Sequence, residues 1–388
     1  SDVYKRQLVP LSVEDATLLV DDPGRQLRST LRQVSLDVQP DAQAAGTAIV
    51  RGSASGDRFE RLAFQGRVTP QSGQFEMQGQ IESLDVSNRL VAFLAVADER
   101  LAAPHVQDWL AGLRGRGHVQ WQAAGSVRAP AAIAFNAAGS LESGRFEHRS
   151  LPFALSDLTS TFRADRGGIH VERFEAHSGS TLVRGGGRLT GWASDADFDV
   201  TVEAERLTVS RQWEAHLPER FAAHWRKVLP AGEVDVVATV RRRAGRIDPT
   251  LSVRCRNTSL THYRFPYRLD RTVGTVVLQG EQLSIHLTGQ AGGHPVQVQG
   301  AFRTGGEGMP GFLEVRGDGM RIDDALLAAL PARSAAIVKS LHAQGTFDFA
   351  FRHDRGPQLP GGHANTLGIR LVQCLSLIHI SEPTRPRL

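Results

Sequence analysis

Apolar and polar residues alternate in short runs along most of this chain. Phe198, Val200, Val202 and Ala204 fall on one side of a predicted strand, with Asp199, Thr201 and Glu203 on the other. Leu283, Ile285 and Leu287 repeat the pattern, as do Val296 and Val298 against Gln297 and Gln299, and as do Phe347, Phe349 and Phe351. A period of two marks a strand with one face turned to an apolar environment and the other to water. Runs at 16–20, 31–38, 47–51, 59–68, 74–83 and 118–122 read the same way, with Asp21-Asp22-Pro23-Gly24 as a turn.

Three times the period lengthens to between three and four. Leu90, Phe93, Leu94, Leu101, Val106, Trp109, Leu110 and Leu113 predict a helical segment over 87–113, interrupted near Pro104. Trp213, Leu217, Phe221 and Trp225 predict helices over 211–229, and a third helical segment covers 323–342. These helices punctuate a run of strands instead of alternating with single strands, which argues against a doubly wound parallel sheet. The predicted class is mainly β: an elongated repeat array of antiparallel strands, interrupted by short helical hairpins.

The repetition is visible in the letters. Leu151–Gly191 recurs as Phe265–Gly305, with Pro152, Leu155, Ile169, Val171, Gly179, Gly186 and Gly191 matched by Pro266, Leu269, Leu283, Ile285, Gly293, Gly300 and Gly305. The offset is 114 residues, without a gap. Leu217-Pro218 and Gly232 match Leu330-Pro331 and Gly345 at 113, and Phe75 and Val86 match Phe198 and Val209 at 123. The expected organisation is a divergent first unit over 8–138, a second over 139–249, a third over 250–354, and a linker with the start of a further unit over 355–374. Each unit is expected to hold eight to ten short strands and one helical hairpin. Residues 1–7 and 375–388 resemble translated sequencing-adapter sequence, so the stretch between them reads as an internal fragment.

Composition removes several function classes. The chain is 41% apolar and 22% charged, as in a folded protein. Its net charge of +4 is spread without a basic block, and it has only 3 Tyr and 5 Trp, so no nucleic-acid partner is expected. Two cysteines, Cys255 and Cys374, exclude a disulfide framework. No run of about 18 apolar residues is present to form a membrane-spanning helix. There is no phosphate-binding loop, zinc-protease helix, nucleophile elbow or EF-hand. Gly185-Gly186-Gly187 continues into a strand, His216 and His224 lack a third ligand at fixed spacing, and Asp21-Asp22 and Asp323-Asp324 suit a turn and a helix start. No catalytic residue, metal site or cofactor is expected.

At Arg264-Phe265-Pro266-Tyr267-Arg268-Leu269, at Gly139–Gly144 leading to Leu151-Pro152-Phe153, and at Leu229–Val234, the chain resembles the AsmA-like (TamB-like) family of large envelope proteins of Gram-negative bacteria. The resemblance covers most of 8–374. It implies a long β-sheet curved like a taco around an apolar groove, an inner-membrane helix at the N-terminus, a periplasmic location and envelope-protein partners at the ends. It further implies a non-enzymatic conduit for phospholipid acyl chains and a role in outer-membrane maintenance. The groove candidates are then Phe198, Val200, Val202, Leu283, Ile285, Leu287, Val296, Val298, Phe347, Phe349 and Phe351. Two other readings compete: a structural or adhesive repeat whose apolar face is closed by its own second sheet, and a carbohydrate-active enzyme with two carboxylates across a cleft.

Overall fold

The computed structural model describes residues 9–22, 27–87, 108, 111–149, 151–193, 195–217, 219–263, 265–305, 308–340, 342 and 344–375. Strands make up 70% of it and belong to one 19-stranded antiparallel sheet that is not closed into a barrel. The chain divides into two compact units, one of residues 1–202 and 240–247, the other of 203–239 and 248–388.

The first unit carries β1 (Leu11–Asp22), β2 (Leu27–Pro40), β3 (Ala48–Gly56), β4 (Phe59–Thr69), β5 (Gln74–Val86), β6 (Leu113–Ser126), β7 (Ala134–Phe146), β8 (Leu155–Asp165), β9 (Gly168–Ser178) and β10 (Thr181–Thr190). Strands β11 (Asp197–Val209) and β12 (Ala231–Arg243) have residues in both units. The second unit adds β13 (Arg246–His262), β14 (Phe265–Gln279), β15 (Gln282–Ala291), β16 (His294–Arg303), β17 (Gly311–Arg321), β18 (Gln344–Arg355) and β19 (His363–Leu375). From β1 to β10, and again from β13 to β19, each strand pairs antiparallel with the next in sequence.

The strands are longer and fewer than the alternation predicts. Six strands, not eight to ten, separate successive helical interruptions: β6–β11 and β12–β17. Asp21 and Asp22 end β1, opposite Arg28 and Leu27, and the rest of the predicted turn, Pro23-Gly24, lies outside the described residues. Bulges are the reason the strands are longer and fewer. A non-glycine residue with φ between 50° and 57° sits in every third strand, at Gln33, Ser83, Asp157, Arg206 and Arg271, and Gly319 (φ 63°) takes the place in β17; Asp15 (φ 48°) in β1 and Ser143 (φ 50°) in β7 add two more bulges outside that series. Where the pairing is resolved, the register skips there, as between Ile81 and Leu84, Asp270 and Val273, or Gly317 and Met320. Each extra residue breaks the period of two, so one strand reads as two short ones.

A bulge in β9 also sets the two repeat offsets. Pairing across β9 skips Glu172, and β9 has 11 residues where β15 has 10. Equivalence is 114 up to Val171 and Ile285, then 113. The two-residue turns therefore match Gly179 (φ 59°) to Gly292 (φ 57°), not to Gly293, and Gly187 takes the place opposite Val171 that Gly300 takes opposite Ile285. Gapless alignment fails past that point because a strand absorbs the inserted residue without changing its neighbours.

The predicted helices at 211–229 form as a 3₁₀ turn, Arg211–His216, and an α-helix, Glu219–Val228, joined by the Arg226–Glu214 ion pair at 3.2 Å and a stacked Trp213–Trp225 pair. Those at 323–342 form as Asp324–Ala329 and Ala332–Ser340. Asp323 caps the first, accepting from Leu326 N at 2.8 Å, the role expected of the acidic pair. The 87–113 segment lies almost wholly outside the described residues; Asp108 and Ala111 are helical.

Two bulges are held by the same three-strand clamp, 113 positions apart. Arg206 N donates to Asp235 Oδ1 at 3.1 Å, and Arg256 Nε donates to Asp235 Oδ2 at 2.6 Å. Gly319 N donates to Asp348 Oδ1 at 2.7 Å, and Arg370 Nε to Asp348 Oδ2 at 2.9 Å. Burial pushes the Asp235 carboxyl up, but the Arg206 amide and the Arg256 guanidinium outweigh it and hold it below the usual range. The Gly319 amide and then Arg370 hold Asp348 low. Replacing Asp235 by Ala strands a bulge amide and a guanidinium, and is expected to lower stability by about 1–2 kcal/mol in urea unfolding. For Asp348 the clamp's contribution is present above the ordinary carboxylate range and lost as pH falls through the depressed value. Asp348→Asn should therefore flatten the acid limb of a melting-temperature-against-pH profile.

Candidate apolar binding face

Directly opposed residues in neighbouring strands share a face. In the second unit the register assembles one. Leu287 lies opposite Val298, Val298 opposite Val315, and Val315 opposite Phe351. A parallel row runs Val253–Val276–Ile285–Gly300–Leu313 and ends on a polar pair, His353 opposite Asn365. Phe347, Phe349 and Phe351 lie opposite Leu371, Ile369 and Leu367. Thus the eight candidates Leu283, Ile285, Leu287, Val296, Val298, Phe347, Phe349 and Phe351 stand on one continuous face spanning β13 to β19. Among the register-matched positions of this face, Arg355, at a strand end, is the only Asp, Glu, Lys or Arg. The charges lie on the other face, where Arg352 pairs with Asp354 and Glu314 and stacks over Phe312 at 4.2 Å.

The bulges keep this face in phase. Val315 and Gly317 are followed on the same side by Met320, a step of three, because Gly319 is the inserted residue. Leu269 and Thr272 make the same step around Arg271. Without it, every apolar residue beyond the bulge would turn to the polar side.

The face is covered unequally. Near the bulges, Leu269, Ala291, Val296 and Met320 form a buried cluster, with Tyr267, Phe347 and Phe349 packed against it. The Asp324–Ala329 helix, with Leu326 and Ala329 buried, packs on β14. Cys255 is buried here as well, and burial pushes its thiol up despite a hydrogen bond with Thr258. Away from the bulges, Leu283, Ile285, Leu313 and Phe351 are half-buried, and on β19 Leu367 and Ile369 are 61% and 58% exposed. All described strands belong to the one sheet, so the competing reading's second sheet is not among them.

In the first unit the register builds an apolar face of its own: Leu62–Ile81–Val119–Gly139–Phe162–Val171–Gly187, each opposite the next. A Cβ at Gly187 would stand 2.9 Å from Val200 Cγ2, so Val200 lies on this face and is 37% exposed. Phe198 and Val202 share its side by strand alternation.

Further apolar residues share the face with the eight candidates. Val276, Leu278, Val253 and Val315 belong with the eight, and Val276 was within reach because it repeats Phe162 at an offset of 114. Chemically, the arrangement offers dispersion contacts and water exclusion. No grouping of three or more His, Cys, Asp or Glu that could hold a metal occurs among the described residues.

Met320, 1% exposed, is the most enclosed apolar side chain of the face, and Met320→Ala is expected to cost about 2–5 kcal/mol by denaturant unfolding. In a Cys374→Ser background, Cys255 should react with a thiol reagent at pH 8 far more slowly in the native protein than in urea; equal rates would contradict its burial. No protein-family model matches the chain, and no curated protein sequence matches it either.

Proposed function

We propose that this chain is part of an AsmA-like envelope protein whose apolar β-face holds phospholipid acyl chains for transport across the Gram-negative periplasm, without catalysing a reaction. The observation that carries the reading is the apolar face from β13 to β19, half-open along most of its length, interrupted by His353 and Asn365 on β18 and β19, and with Asp, Glu, Lys or Arg only at its rim. An exposed apolar surface of that extent calls for an apolar occupant. Each CH₂ buried there contributes about 0.8 kcal/mol, so an acyl chain is held without polar recognition and slides without breaking hydrogen bonds. The polar headgroup stays in water.

No helix among the described residues is long and apolar enough to cross a membrane. In this reading an N-terminal helix of the kind the resembled family carries supplies the inner-membrane anchor, and other envelope proteins meet the ends of the array.

The test is native mass spectrometry and lipid extraction of the chain purified from a Gram-negative periplasm. Co-purified phospholipid is expected, and it should be lost in a Val200→Asp/Phe349→Asp variant whose circular dichroism still reports a folded β protein. A folded wild-type protein free of lipid would identify the array as a structural repeat and end the transport reading.

A further inference from the structure

The opposite face of the first unit carries a different surface. Across β4, β5, β6 and β7, Gln65, Gln78, Gln122 and Asn136 stand in register, each directly opposite the next. The adjacent row on that face runs Ala63–Gln80–Gln120–Ala138. At about 4.8 Å between strands, the amide row is about 14 Å long. Six carboxamides and two alanines thus fill a patch of four strands by two rows with no charge in it.

Charge resumes immediately outside. Arg67 and Glu76 oppose each other along the strands in one direction, and Arg61 and Glu82 in the other. Arg51 lies opposite Gln65 at one end, and Asp165 opposite Asn136 at the other. An ordinary solvated strand face mixes charges throughout, and the second unit's polar face does so: one row there reads His286–Gln299–Glu314–Arg352. The first unit's patch also lies in a concavity of about 940 Å³ whose middle these six amides line and whose β1–β3 side carries Glu14, Asp15, Asp37 and Arg51, a volume in the range of small-ligand sites. Gln80 donates to Glu82 at 3.2 Å, whereas Gln65, Gln78, Gln120, Gln122 and Asn136 make no side-chain hydrogen bond to described residues.

We infer that this concavity is a binding site for a neutral, linear oligosaccharide. A carboxamide both donates and accepts, as does each sugar hydroxyl, so a row of amides meets a row of hydroxyls in either polarity. An uncharged patch binds such a ligand without desolvating an ion, which would cost far more than a hydroxyl–amide bond returns. A ligand with carboxylates or phosphates would find no counter-charge in the central rows, and the lining beside them sets the carboxylates of Glu14, Asp15 and Asp37 against the single guanidinium of Arg51. The aromatic rings nearest the patch, Phe64 and Trp121, lie on the opposite face of their strands, opposed in register to Gly79, so sugar binding here rests on hydrogen bonds and is weak. The inference concerns the polar face only and stands whether or not the apolar face holds lipid.

Isothermal titration of the 388-residue chain with maltohexaose and chitohexaose, and with hexagalacturonate as the charged counterpart, tests it. At least one neutral sugar should bind saturably at millimolar concentration and hexagalacturonate should not. Gln78→Ala/Gln122→Ala removes two exposed amides from the centre and should weaken binding by about tenfold or more. Gln78→Glu/Gln122→Glu, which keeps side-chain size, should abolish it. Val200→Asp/Phe349→Asp should leave it unchanged, which separates this site from the lipid reading. No binding of either neutral sugar, equal binding of hexagalacturonate, or full affinity in a folded Gln78→Ala/Gln122→Ala variant would each overturn it.

Discussion

A sheet with one apolar face survives only if every strand keeps its apolar residues on that face, and in this chain a bulge repeatedly puts that at risk. A strand of 10 to 17 residues with strict alternation would be long, flat and prone to slip by whole register steps. Here one residue in at least every third strand takes a left-handed conformation, the strand bends locally, and the apolar sequence resumes after a step of three. Left-handed backbone at Gln33, Ser83, Asp157, Arg206 and Arg271 carries a conformational cost that glycine would avoid. A side chain kept at these points pins the register, and at Arg206 and Gly319 the bulge amide is tied to an Asp on the next strand and, through it, to an Arg on the strand after. The apolar face and its polar reverse both depend on that phase.

The two faces then do different things with the same backbone. On one, Val298, Val315 and Phe351 line up because they are opposed in register, and their burial grades from enclosed beside the Asp324–Ala329 helix to open at β19. On the other, Arg, Asp and Glu pair across strands in many places, while the adjoining Gln65–Asn136 and Ala63–Ala138 rows go without charge. Side-chain chemistry, not strand geometry, distinguishes the surfaces.

Much of this was legible in the letters and some was not. Runs such as Leu283–Leu287 and Phe347–Phe351 sit in strands and share a face because the period of two survives wherever no bulge falls. The helices at 211–229 and 323–342 were readable from the step of Trp213, Leu217 and Trp225 and from the Asp323 cap. Strand number was not, because a three-residue step such as Leu269 to Thr272 looks like the end of one strand and the start of another. Nor was the gap in the repeat, since Gly186 aligns with Gly300 as well as Gly187 does. Cross-strand neighbours such as Val276 beside Ile285 depend on pairing, which a linear pattern does not encode. The amide patch was invisible for the same reason: Gln65, Gln78, Gln122 and Asn136 are ordinary surface residues until four strands bring them together.

Pairing only between strands that are adjacent in sequence has one more consequence. Most hairpins close a loop of a few residues, and the connections at 87–112, 210–230 and 322–343 are longer, so few contacts wait on a distant part of the chain, and order can spread from a hairpin to its neighbours. Such a sheet can gain or lose a block of strands without a compensating change elsewhere, provided the block begins and ends at the same phase of the bulge pattern. The 113-residue spacing between the two Asp clamps is one such block. Duplication in steps of this size lengthens the surface while leaving each junction chemically unchanged, so in a protein of this kind span is a quantity that gene duplication can tune without redesigning a single contact.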